Sequence, residues 1–183
     1  MILETNGIRF KVCGSLRRLK SKTKSGVIVT TAPVHMIHKL FREFDPTTRR
    51  EQPQTSLILV EDRFPVYFFS TTDEAWGSAL LFYTGPIAYK QCLSSDARLQ
   101  GYKLNRSGLW TLAGERIAGR EEAQVVECLG LEWTLPQLRK AYWTEERKIL
   151  HEKRNRRGKA SSLARDIYRK KQAETRRLAG NTK

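Results

Sequence analysis

Between Ile8 and Ser70 the apolar residues change their spacing repeatedly, and that succession confines the chain to a layered α+β fold. "IRFKVCGS" alternates apolar and polar residues from Ile8 and stops at a Gly-Ser turn, which predicts a short strand. "SGVIVTTAP", Ser25 to Pro33, is a β-branched run closed by a proline, so a second strand ends there. Val34, Ile37, Leu40, Phe41 and Phe44 then recur at helical spacing and predict an amphipathic helix over residues 34–44. The polar stretch "DPTTRREQPQT" breaks that pattern. In "SLILVEDRFPVYFFS" two β-rich runs are joined by Glu61, Asp62 and Arg63, the outline of a hairpin. Strand, strand, helix and hairpin make one small sheet with a helix against it.

After Ser70 the character changes. Thr71 or Thr72 can cap a helix that carries Asp73 and Glu74 in its first turn, where carboxylates favour the helix dipole. That helix runs to about residue 82, and Gly85-Pro86 then forces a sharp break. "IAYKQCLSSDARLQ" predicts another helix, with Gly101 as its C-terminal stop. "YKLNRSGLWTL" and "ERIAG" read as short strands, "REEAQVVECLGLEW" as a helix with its acids early, and "LPQLR" as a proline-containing end.

The 183 residues suffice for one ordinary domain or two small ones, and their formal net charge of +15 points to a polyanionic partner. DNA or RNA comes ahead of an anionic membrane surface. Residues 151–183 hold twelve Lys/Arg and three Asp/Glu, so +9 of the charge sits there. A helix from Ser161 or Ser162 to Leu178 has only Leu163, Ile167 and Tyr168 as an apolar stripe, and it needs a partner for stability. Cys13, Cys92 and Cys128 are too scattered for a disulfide framework or a zinc site. His35 and His38 sit at i, i+3 on a helix face without a carboxylate or cysteine to complete a metal site, and His151 lies in a basic stretch. No signal pattern and no apolar run approaching about 18 residues is present. The expectation is a soluble, non-secreted protein of a reducing compartment, cytoplasmic or virion-associated, with no membrane partner.

Four segments carry a resemblance: "GSLRR", "DEAWGSALLFYTGP", "GYKLNRSGLW" and "REEAQVVECLGLEWTLPQLR". In this order, with Gly101 sixteen residues after Gly85, they resemble the palm and thumb of family X DNA polymerases, the DNA polymerase beta-like repair enzymes. The layout is similar to the minimal viral members. The resemblance implies an α+β chain with a nucleotidyltransferase-like palm carrying a small mixed sheet over residues 1–70 and a small α/β thumb over 71–140; it has no counterpart for the third part, the basic, largely helical extension expected over 141–183. It implies that Gly14, Ser15 and Arg18, with Arg17 beside them, cradle the triphosphate of an incoming nucleotide. Backbone amides and guanidinium groups complement anionic oxygens there. Phe82, Tyr83 and Gly85 match the bend that lies against the sugar and base.

Family X catalysis uses two divalent metals held by three aspartates. Counting without gaps from Gly14, the paired positions fall on Ser25 and Val27; counting back from Gly85, the third falls on Tyr67. Hard cations take oxygen ligands, and neither serine nor valine replaces a carboxylate in charge. No Asp or Glu occurs between Phe10 and Arg42. Glu61 and Asp62 fall in the expected hairpin turn, and Asp73 and Glu74 open the linking helix, where the family is acidic without catalytic use. Ile87 and Lys90 occupy thumb-helix positions where the family places polar groups near the incoming base. No catalytic residue, no metal site and no cofactor is therefore expected; magnesium enters only with residual polymerase activity. The chain begins almost at the first palm strand, which implies neither a lyase domain nor helix-hairpin-helix elements.

The leading expectation is a non-catalytic nucleic-acid-binding protein, with DNA favoured over RNA. Its phosphate contacts would come from Lys20, Lys22 and Lys24 beside Arg17 and Arg18, and from Lys153, Arg154, Arg156, Arg157, Lys159, Arg165, Arg169, Lys170 and Lys171. The alternative is a structural subunit of a viral or nucleoprotein assembly, with other protein subunits as partners. An active DNA polymerase is the third reading.

Overall fold

The computed structural model describes residues 2–42, 50–52, 55–60 and 64–142. The chain divides into one compact unit, Met1–Tyr142, and a second, Trp143–Lys183. The helix expected from Ser161 or Ser162, His151, and the nine basic candidates at positions 153–171 lie outside the described residues, as do Phe44, Glu61 and Asp62.

The period changes of the first 70 residues become a five-stranded mixed sheet. Its strands are β1 (Phe10–Val12), β2 (Gly26–Thr30), β3 (Arg50–Gln52), β4 (Thr55–Val60) and β5 (Phe64–Ser70), in the order β1-β2-β5-β4-β3. β2 and β5 are parallel, and every other neighbouring pair is antiparallel. Because side chains alternate along a strand, the sheet has two apolar faces. Ile28, Val66 and Phe68 face α1 (Ile2–Thr5) and α3 (Val34–Arg42), joining a core of Leu3, Ile37 and Ile58. Phe68 is 2% exposed, with the Phe41 ring 5.1 Å away centroid to centroid. Burying a side chain of that size contributes roughly 1.5–3 kcal/mol. Val27, Val29 and Phe69 face the other way and pack on Cys13, Trp76, Ala79 and Leu80.

Three elements in this half carry little sequence signal. Gly14–Arg17 winds into a single helical turn, α2, so the strand expected through Ser15 covers only Phe10–Val12. β3 forms inside the polar stretch read as a break, where no alternation marks it, and pairs antiparallel with β4. The helix α1 is only four residues long, yet it brings Leu3 into the core.

Beyond β5 a 3-10 turn, Asp73–Ala75, leads into α4 (Trp76–Thr84). Thr72 thus precedes a 3-10 turn and makes no capping bond to the backbone. The Glu74 carboxyl is held below the usual range by its own backbone amide, the Thr72 hydroxyl and the nearby Arg120. Gly85 at φ +69° and a cis Gly85-Pro86 bond end α4. α5 (Ile87–Leu99) follows, and Gly101 at φ +79° turns the chain after it, a conformation open to glycine at little cost. β6 (Tyr102–Asn105), β7 (Gly108–Thr111) and β8 (Arg116–Ala118) form an antiparallel meander, followed by α6 (Glu122–Glu127) and a 3-10 turn at Pro136–Leu138. Leu81, Tyr89, Leu93, Leu109, Val125 and Val126 form the core here.

α4 is buried on nearly every side because it serves both halves: Ala79 and Leu80 pack toward the sheet, and Leu81 toward the second core. A helix buried all round must be approached closely from several directions. A Cβ at Gly77 would lie 2.1 Å from the carbonyl carbon of Glu121, so only glycine lets the chain before α6 cross α4.

Candidate functional site

The three positions that the resemblance assigns to carboxylates meet on one face of the sheet. Val27 on β2 stands opposite Tyr67 on β5 in the parallel register, and Ser25 lies one residue before β2. Paired and alternate residues share a face, so the three positions are neighbours there. Instead of oxygen ligands the face carries aliphatic and aromatic groups. The Tyr67 and Phe69 rings lie 6.5 Å apart, nearly parallel, and the Phe69 and Tyr83 rings stack at 3.9 Å. A serine hydroxyl, an alkyl group and a phenol do not fit a pair of divalent cations, which take several anionic or carbonyl oxygens. Among the described residues no three His, Cys, Asp or Glu side chains lie together so as to hold a metal ion.

Gly14 is what brings the α2 turn onto this face. Its φ of +66° disfavours a side chain, and a Cβ there would meet Val27 at 3.2 Å. The Cys13 amide donates to the Val27 carbonyl at 2.7 Å. Ser15 and Thr23 share a 3.0 Å hydroxyl contact, and Thr23 in turn donates to the Ser25 carbonyl at 2.8 Å. These bonds pin both ends of the loop that carries Lys20, Lys22 and Lys24, all exposed to solvent.

The two arginines of the turn part company. Arg17 points inward and donates to both oxygens of Glu122, at 2.9 and 2.5 Å, and to the Thr84 hydroxyl at 2.8 Å. Glu122 also accepts from Arg139 at 3.1 Å, whose side chain has no exposed surface. Arg17 thus places its guanidinium on a buried carboxylate. Arg18 stays half-exposed and donates to the Thr84 carbonyl, beside Gly85. Partial burial lowers its basicity, and Arg139 lowers it further. Lys90 on α5 is likewise shifted down, first by burial and then by Arg18; its ammonium sits 4.2 Å over the Phe82 ring. Phe82 is exposed, Tyr83 is half-buried and Gly85 is buried, so the three candidates of the bend share one region without sharing an environment. Two cations flank the Gly85-Pro86 bend, an arrangement that favours an anion between or near them.

Residues 79–140 match the family described as DNA polymerase beta thumb. Through this segment the chain is related to the family X DNA polymerases. No curated protein matches the chain. The thumb match begins at Ala79, inside α4, and ends at Lys140, just past Arg139. Glu122 and Arg139 are thumb residues, so the Arg17–Glu122–Arg139 cluster ties the thumb to the α2 turn. Sequence reasoning read Glu122 only as an early acid of a helix and did not find this cluster. The one available signal was an acid pair preceding an apolar helix, which gives no hint of a cation 105 residues away. No helix among the described residues is long and apolar enough to cross a membrane.

Proposed function

We propose that the chain binds nucleic acid through its phosphate backbone, DNA ahead of RNA, and adds no nucleotides to it. The observation that carries this reading is the face formed by Ser25, Val27 and Tyr67. It lacks carboxylates where two-metal phosphoryl transfer needs them, while the cations around it remain. Arg18 and Lys90 at the Gly85 bend, with exposed Lys20, Lys22 and Lys24 in the adjoining loop, supply charge without a metal partner. The basic segment from residue 151 carries +9 and is a separate source of phosphate contacts. Contacts of this kind position a strand and carry little sequence information.

The test is an anisotropy titration of a labelled oligonucleotide at several salt concentrations. Each phosphate neutralised on duplex DNA contributes about −0.9 to the slope of log K against log salt. Six or more such phosphates would cost about a thousandfold or more in affinity between 50 and 200 mM salt. Replacing Lys20, Lys22 and Lys24 with alanine should flatten the slope by about one for each phosphate no longer neutralised, with little change in sequence preference. Salt-independent affinity, or none, would sink the reading.

A further inference from the structure

A second charged concavity lies at the far end of β2 from Ser25. β2 spans Gly26 to Thr30, about 13 Å at the usual rise per residue. Where β2 and β5 end side by side, a cleft of about 980 Å³ opens, walled by Thr31, Thr71, His35, Tyr83, Arg106 and Arg116. The carboxyl ends of parallel strands are the usual place for a ligand in sheets with parallel pairs. The volume is at the upper end of the range of small-molecule pockets, about 300–1,000 Å³.

The chemistry of the wall is one-sided. His35, Arg106 and Arg116 line it, and none of the lining residues is acidic. Arg116 lies against the Trp110 ring, 4.8 Å from its centroid, and forms no salt bridge with a carboxylate among the described residues. The two acids of the turn after β5 are otherwise engaged. Asp73 pairs with Arg9, and Glu74, which does feel Arg116, has Arg120 at 3.5 Å. Arg106 donates to the Tyr83 hydroxyl at 3.3 Å, which holds its guanidinium at the wall. Val34, Ala75 and Ala79 add an apolar side. A guanidinium fork held by stacking is suited to a planar or tetrahedral oxyanion. The hydroxyls and the apolar side suit a sugar and a ring.

We propose that this cleft binds a nucleoside monophosphate, with its phosphate on Arg116 and Arg106 and its sugar and base toward Thr31, Tyr83 and Ala79. The cleft shares Tyr83 with the Gly85 bend but none of the cations of the α2 turn or of the strand-binding reading. Calorimetric titration of the full-length chain with AMP, GMP, CMP and UMP, each against its free nucleoside, tests it. At least one monophosphate should bind, and its nucleoside should bind at least tenfold more weakly. Arg116→Gln and Arg106→Gln should each weaken the monophosphate at least tenfold. Both residues are exposed, so circular dichroism should find the fold intact. Arg18→Ala should change the affinity less than twofold, because that side chain belongs to the other site. The proposal is overturned if no monophosphate binds at millimolar concentration, if nucleosides bind equally well, or if Arg18→Ala abolishes binding while the glutamine variants do not. Oligonucleotide affinity measured in parallel reports separately on the strand-binding reading.

Discussion

Arg17 and Glu122 form a two-pronged ion pair at 2.9 and 2.5 Å, with side chains only 14% and 8% exposed. Arg139, fully buried, closes on the same carboxylate. A single acid thus answers two cations, and its loss strands both in a medium that solvates charge poorly. Removing one partner of a buried pair costs about 3–5 kcal/mol, because the other charge stays buried and uncompensated. Glu122→Gln should lower the unfolding free energy by about that amount in a urea melt. A change below about 1 kcal/mol, the ordinary range for a surface pair, would contradict the cluster.

Two glycines separate backbone crowding from backbone conformation. Gly77→Ala places a Cβ 2.1 Å from backbone carbon of Glu121, which no side-chain rotation relieves. The loss should be about 3 kcal/mol or more. Gly101→Ala meets nothing within 4 Å, and its only difficulty is a φ of +79°. That variant should lose only about 1–2 kcal/mol. Chemical denaturation of both variants checks the contrast; equal losses would refute the crossing of α4 by the chain before α6.

The three cysteines should react in an order set by burial. Cys13 and Cys92 are buried, whereas Cys128 is exposed. Burial pushes the Cys13 thiol up, beyond what its Thr84 bond and Arg17 restore, so little reactive thiolate forms there. Mass spectrometry after brief iodoacetamide treatment should find Cys128 modified first, and the other two only in denaturant. Early modification of Cys13 would mean that the α2 turn does not seal against β2.

Much of the fold was legible because its elements carry their own periodicity. The β4–β5 hairpin, α3 and the Gly85-Pro86 break follow from local spacing and punctuation alone. α1 and β3 did not, since a four-residue helix and a polar strand lack a period to detect. The candidate site divides in the same way. Val27 and Tyr67 were placed by counting from fixed glycines, and the parallel register sets them opposite one another. Arg17 was read as a companion of Arg18, because adjacent arginines look alike until the fold decides which of them meets Glu122. Nothing local sets Gly77 apart in the sequence; its meaning depends on a segment more than forty residues later.

The face of Ser25, Val27 and Tyr67 should support no metal-dependent nucleotide addition. Primer extension tests it most directly, run on a primer–template already shown by gel shift to be bound, with magnesium or manganese and all four deoxynucleotides. The primer should remain at its starting length while the complex persists. Incorporation by the purified chain that is abolished by Arg18→Ala would contradict the account, because it would mean that metal-dependent nucleotide addition proceeds without the three carboxylates.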